Sequence, residues 1–243
     1  MKADSNLFKN LFRKFGSMQS VSPEEKLFHS IVGYSDLKRL FMKSIVSKEP
    51  VHILLTGPPA SSKSLFLSQL LEELDNAYFI DAVGASGPGM MDYMFSNDIK
   101  YLLIDEIDKM KKNDQAALLN VMETRILSET KLKGKTRFKK MDLWIFATSN
   151  SAEKLSMPLR SRFMELHLNE YSYEEFIEIC RRLLGLKYHL PTELSDKIAY
   201  LVWNTMKSKD IRDVLKIGKL SNTVSDVEWL VDLQMKYRKK KRM

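Results

Sequence analysis

An apolar run, VHILL at 51–55, passes through Thr56 into GPPASSKS at 57–64, and a helical pattern begins at Lys63. Few features constrain a fold as tightly. A short strand that is apolar except for His52 is read as buried on both faces, which calls for a parallel sheet with helices on either side. The turn from strand into helix is suited to holding phosphate, because backbone N–H groups and a helix N-terminus converge there on an anion. In such a P-loop Lys63 holds the β and γ phosphates and Ser64 ligates Mg²⁺. One position departs from the motif. Ser62 stands where a glycine normally precedes the lysine, and it carries a Cβ where close approach of backbone to phosphate favours none.

The rest of the first 169 residues alternates in the same manner. Helices are predicted over 36–46, 63–74, 89–95 and 114–124, with strands over 78–81, 101–105, 143–148 and 164–168, and a short helix near Pro158. Ser22, Pro23 and Glu25 form a helix-start signal. The strand YLLID ends on Asp105 and is followed by Glu106. An acid at that end can reach the shell of a Mg²⁺ held on the neighbouring strand, and the adjacent Glu106 can polarise a water for in-line attack on phosphorus. The strand LWIFATS leads to Asn150, which can hydrogen-bond that water or the γ-phosphate and is also an ordinary turn residue. After Asn169 the pattern is all-helical, opening on a capping box at Ser172 and Glu175. Segments near 173–184, 193–206, 210–220 and 226–238 suit a small helical domain.

Composition limits the setting. Cys180 is the single cysteine in 243 residues, so no intrachain disulfide can form and a reducing, cytoplasmic location is expected. No apolar run reaches the about 20 residues of a membrane-spanning helix, and the N-terminus lacks the apolar stretch of a secretory signal, so no membrane association is expected. Six basic residues in the last eight supply most of the net charge of +8. Composition alone fits both a solvated end and a phosphate-contacting arm that includes Lys239 and Lys240. His29, His52, His167 and His189 lack metal-ligand spacing, and structural roles are expected for the strand histidines His52 and His167. Cys180, on the apolar side of a helix, is expected in a core.

GPPASSKS, LLIDEID, FATSN and PLRSRF (158–163), in this order, resemble an AAA+ ATPase over about residues 27–220. The resemblance implies an α/β fold: a three-layer αβα P-loop domain over 26–169, then a helical lid over 170–235. A basic amphipathic segment (1–25) precedes them and a basic tail (236–243) follows. It implies ATP and Mg²⁺ as cofactors and a homo-oligomeric ring, expected to be a hexamer. Ile31, Val32 and Gly33 resemble the segment lying along adenine. Gly57, Pro58, Pro59, Ala60, Ser61, Ser62, Lys63, Ser64 and Leu65 match the nucleotide loop. Asp105 shares the metal with Ser64, Glu106 is the catalytic base and Asn150 is sensor 1. Arg162 matches the arginine finger that acts on a neighbouring subunit's site, while Arg160 is expected in a surface ion pair. Arg212, in KDIR, resembles the sensor 2 arginine of the lid.

An insert over 125–141 has the length of a β-hairpin before sensor 1, a device of the branch that holds RuvB-type branch-migration motors, MoxR-type ATPases, MCM helicases and ClpX-like unfoldases. Ser86-Gly-Pro88 and PLRSRF lean toward the RuvB type. The loop 84–89 has no aromatic residue to grip an unfolded polypeptide. The chain ends just after the lid, where RuvB-type proteins carry a winged-helix domain, so branch migration by this chain alone is not expected. Within the insert, alternation at period two puts Lys135, Arg137 and Lys139 on one face of a strand, which suits a nucleic-acid backbone. Whether Lys131 joins them depends on the turn at Gly134. The function expected is an ATP-driven remodeller of DNA, with a protein adaptor as a further partner. The alternatives are a MoxR-like remodeller of proteins and a non-hydrolysing nucleotide switch.

Overall fold

The computed structural model describes residues 22–130 and 136–238. The amphipathic segment up to residue 21, Lys131, Lys133 and Lys135, and the tail residues Lys239 and Lys240 lie outside the described residues. The described chain forms two units, one of 22–29, 34–57 and 62–168, the other of 30–33, 58–61 and 169–238.

The first unit begins with α1 (Pro23–Leu27) and α2 (Ser35–Ile45), followed by β1 (His52–Thr56), α3 (Lys63–Glu73), β2 (Ala77–Asp81) and α4 (Gly87–Ser96). Then come β3 (Tyr101–Asp105), a 3₁₀ turn (Ile107–Lys109), α5 (Lys112–Thr124), β4 (Ile126–Thr130) and β5 (Thr136–Lys140). It closes with β6 (Trp144–Ser149), a second 3₁₀ turn (Ala152–Lys154), α6 (Met157–Arg160) and β7 (Phe163–His167). Five strands make one sheet in the order β2-β3-β6-β1-β7, and every neighbouring pair is parallel. The chain leaves β1, passes over β6 and β3, and pairs next at β2. That reversal opens a crevice beyond the carboxyl ends of the central strands, where open α/β sheets bind ligands. The register Thr56↔Ser149 and Ile104↔Ala147 brings the ends of β1, β3 and β6 to one edge.

Two cores cover the sheet. On one face Leu54, Leu102, Ile104, Ile145 and Ala147 pack with Met90 and Met94 of α4 and with Leu118 and Val121 of α5. On the other, Phe41 of α2 meets Phe66 of α3 at 5.4 Å and Phe146 of β6 at 5.2 Å, and Phe28 meets Phe66 at 5.2 Å. Each such ring stabilises the fold by about 1.5–3 kcal/mol. Ser22 caps α1 as its sequence signals, accepting from the Glu25 amide. Glu25 in turn receives two hydrogen bonds, 3.0 and 2.8 Å, from the buried Lys38 ammonium of α2. His52 accepts at Nδ1 from the Ile145 amide, and burial pushes its pKa down to about 4. It is a neutral structural histidine, as its strand position suggests.

Boundaries differ from the sequence reading by up to four residues, most at the end of the helix Tyr173–Tyr188, and at α4 the reason is local. Gly87 and Pro88, read as loop, lie in its first turn, because Ser86 caps the helix by accepting from the Gly89 amide. The insert is an antiparallel β4–β5 hairpin registered Ser128↔Phe138 and Glu129↔Arg137.

The second unit carries α7 (Tyr173–Tyr188), α8 (Thr192–Asn204), α9 (Ile211–Leu220) and α10 (Val224–Tyr237). The capping box at Ser172 and Glu175 is present, and Thr223 with Asp226 makes a second one at α10. A Cβ on Gly218 of α9 would lie 2.3 Å from Leu184 Cδ2 of α7, so a side chain there would have to displace that leucine's methyl group. Cys180 is fully buried, and burial pushes its thiol up to about 12, which leaves it an inert core group.

Candidate active site

The loop after β1 takes its shape from three unusual backbone positions. Gly57 has φ +143°, and a Cβ there would lie 2.2 Å from the Leu168 carbonyl oxygen, so no other residue fits. Ala60 and Ser62 both sit in the left-handed region, at φ 67° and 62°. Ser62 thus adopts the conformation for which glycine is usual, and it does so immediately before α3. The first turn of α3 holds no acid, so its positive dipole end is left to act on an anion. Lys63, 6% exposed, folds back to donate from Nζ to the Gly57 carbonyl at 2.9 Å. Burial pushes its pKa down, and the carboxylates of Asp105, Asp108 and Glu106 pull the other way.

Beside it, the start of α3 and the ends of β3 and β6 are hydrogen-bonded together. Ser64 Oγ donates to Asp105 Oδ1 at 2.9 Å, and the Thr148 hydroxyl donates to the same oxygen. Thr148 Oγ1 also accepts the Glu106 amide at 3.0 Å. Asn150 donates from Nδ2 to Glu106 Oε1 at 3.3 Å. Glu106, at φ 52°, turns sharply out of β3 and carries its carboxylate to Asn150 rather than along the strand. Adjacent ligands of an octahedral Mg²⁺ stand about 2.9 Å apart, and the 2.9 Å between Ser64 Oγ and Asp105 Oδ1 fits that ion. A helix start that can receive an anion, an oxygen pair that could hold a cation and a carboxylate that can hold a water therefore lie along one edge of one sheet.

Residues 53–170 match the profile of the ATPase family associated with various cellular activities (AAA). Residues 53–170 are an AAA domain. DNA replication licensing factor MCM3 of Entamoeba histolytica is 26% identical over 129 residues, which cover 42% of this chain and 22% of that protein. The licensing factor mcm2 of Xenopus laevis is 27% identical over 130 residues, 42% of this chain and 15% of that one. The chain thus spans less than a quarter of the length of these relatives. Among solved structures, a single-site mutant of RuvB from Thermotoga maritima matches with a TM-score of 0.67 at 19% identity, over 86% of this chain and 72% of that chain. RuvB from the same organism, described as a Holliday junction branch migration motor, gives 0.60 at 20% identity over 83% and 70%. At these identities the likeness is one of fold.

The remaining predicted residues fall into separate settings. In the AAA domain, Arg160 forms two hydrogen bonds to Glu165, 2.5 and 2.9 Å, which is the ion pair expected of it. Arg162 is exposed and pairs with Glu123 at the end of α5. In the second unit, Ile31 is buried and Gly33 has φ +72°. Pro58 accepts from the Ser61 hydroxyl at 2.8 Å. Arg212, in the first turn of α9, holds the Asp210 carboxylate at 3.0 Å and is largely exposed.

The hairpin's two faces are distinct. Arg137 and Lys139 do share a face, and that face is turned to α4. Arg137 pairs with Glu129 and Asp92 and lies 4.0 Å over the Phe95 ring. Lys139 donates to the Met94 carbonyl at 3.1 Å and to the Asn97 carbonyl. Thr136, Phe138 and Lys140 form the outer face, with Phe138 77% exposed. Two residues escaped the sequence reading. Thr148 lay inside an apolar strand. Asp108 looked like one more acid after Glu106, yet its Oδ1 accepts from Ser149 Oγ and from the Asn150 amide.

Proposed function

We propose that this chain is an ATP-hydrolysing motor of the AAA type that works as a homo-oligomeric ring, a hexamer, and remodels DNA. The observation that carries ATP hydrolysis is the cross-linked edge where Lys63, Ser64, Asp105, Glu106 and Asn150 meet. Bound with Mg²⁺, ATP supplies the phosphoryl group to be transferred. Lys63 and the first turn of α3 hold the phosphate charge, and Ser64 and Asp105 hold the metal. Glu106 accepts the proton of a water that Asn150 helps to orient. Arg162 acts on the neighbouring subunit's phosphate after exchanging Glu123 for it, and Arg212 reports on the nucleotide from the lid. Ile31, Val32 and Gly33 lie against the base.

DNA as the substrate is supported by the charge of the hairpin and tail and by the likeness in fold to a branch-migration motor. In this reading Arg137 and Lys139 anchor the hairpin on α4. Phe138 and Lys140 of the outer face meet the nucleic acid, and the charges of Lys135, Lys239 and Lys240 add to the attraction.

Binding to single-stranded, duplex and four-way DNA across a salt series, paired with ATPase stimulation, tests this. Counterion release gives a slope of log K against log salt of about −0.9 per phosphate neutralised on duplex and about −0.7 on single strands. Lys140→Ser should make the slope shallower by nearly one unit, and removing 236–243 by at most roughly five. Phe138→Ala should leave the slope unchanged and weaken single-strand binding by about 10-fold, the scale of one lost base stack. DNA affinity that ignores salt and all three changes would point instead to a protein substrate of the MoxR-like kind.

A further inference from the structure

Asp108 is a buried carboxylate for which the reading above has no task. It lies in the 3₁₀ turn after β3 and is 6% exposed. Oδ2 pairs with Lys109 Nζ at 3.3 Å. Oδ1 accepts two hydrogen bonds from the end of β6, 3.1 Å from Ser149 Oγ and 3.2 Å from the Asn150 amide. Ser149 Oγ also accepts the Ser151 amide at 3.0 Å. One carboxylate oxygen therefore gathers the turn 149–151 and fixes the backbone from which Asn150 reaches Glu106. A buried acid is a poor source of stability even with Lys109 paired to it and the Lys63 charge nearby, since its desolvation offsets most of the attraction. What it supplies is an acceptor for two donors that would otherwise be orphaned.

We infer that Asp108 is a positioning residue for hydrolysis: it holds the Asn150 amide so that the carboxamide stays aimed at Glu106. The inference rests on the roles proposed above for Glu106 and Asn150. Asp108 also bears on Lys63 through its charge, which the Kd for ATP reads, while its effect on kcat runs through Asn150 and vanishes when Asn150 is already gone.

The test is steady-state ATP turnover and nucleotide affinity for Asp108→Ala, Asp108→Asn and Ser149→Ala, each alone and with Asn150→Ala. Asp108→Ala should lower kcat by about 10- to 100-fold, the scale for a displaced catalytic group, while the Kd for ATP stays near that of the wild type. Asp108→Asn keeps the acceptor oxygen and should restore most of kcat. Ser149→Ala, which folds without a buried vacancy for charge, should give a smaller loss of the same kind. In the Asn150→Ala background none of the three should cost anything further. Additive losses in that background, or an Asp108→Asn protein as slow as Asp108→Ala, would overturn the inference, as would wild-type kcat in Asp108→Ala. If the wild type turns over ATP and Asp108→Ala does so at the same rate, only the role of Asp108 falls. If the wild type turns over none under any condition, the reading of the whole site falls with it.

Discussion

Lys63→Ala is expected to lose nucleotide binding, with affinity for a fluorescent ATP analogue falling by on the order of 10³-fold. The ammonium is the cation that the loop folds around, held 2.9 Å from the Gly57 carbonyl. Charge-assisted hydrogen bonds are worth about 1.5–3 kcal/mol each, and a lysine between two phosphates makes at least two. Its loss also leaves Asp105, Glu106 and Asp108, the carboxylates that act on it, facing the incoming phosphates uncompensated. Titration with the analogue in the presence of Mg²⁺ checks this directly. Unchanged affinity would remove the loop from nucleotide binding altogether.

Arg162→Ala is expected to leave ATP binding by each subunit near normal and to lower hydrolysis by on the order of 10³-fold, the scale for an arginine acting on transition-state charge. In the single chain the guanidinium is paired with Glu123, and both side chains are partly exposed. Exposed pairs of this kind contribute about 0–1 kcal/mol, so a neighbouring phosphate can take Arg162 from Glu123 with little loss. Action across an interface makes a second outcome specific. Mixing Arg162→Ala protein with an equal amount of Glu106→Gln protein should restore part of the activity, because some interfaces then join an intact glutamate to an intact arginine. Mixed rings that form and recover nothing would contradict action in trans.

How much of this could be read before the structure was known depends on the range of the interactions. The strand-loop-helix at 51–64 is local, and its consequences for the sheet follow from burial on both faces. The convergence of the strand ends on one edge follows as well, but their order does not: Asp105 is expected on the strand next to the loop's own, whereas β6 lies between β1 and β3. Ser62 shows a limit of motif reading: the position needs a left-handed backbone, and serine supplies it at φ 62°. The hairpin shows another. Period-two alternation separates two faces but does not say which one meets the protein. Apolar pattern would turn Phe138 inward, yet the Phe95 ring, Asp92 and the carbonyls at the end of α4 give Arg137 and Lys139 better partners. Asp108 and Thr148 were hidden for the same reason. Their partners lie about 40 residues away in sequence, at 3.1 Å for Asp108 to Ser149 and 3.0 Å for the Glu106 amide to Thr148, and no local pattern records such contacts.

Glu106, held by Asn150, is expected to act as the base for ATP hydrolysis at this edge. The most direct measurement is phosphate release under saturating ATP and Mg²⁺ by the wild type and by Glu106→Gln, with nucleotide affinity measured on the same preparations. The amide keeps the shape and the hydrogen bond to Asn150 while losing the base. The expected result is steady turnover by the wild type and a Glu106→Gln protein that binds ATP as tightly yet releases phosphate at least about 10²-fold more slowly. Equal rates in the two proteins would contradict it.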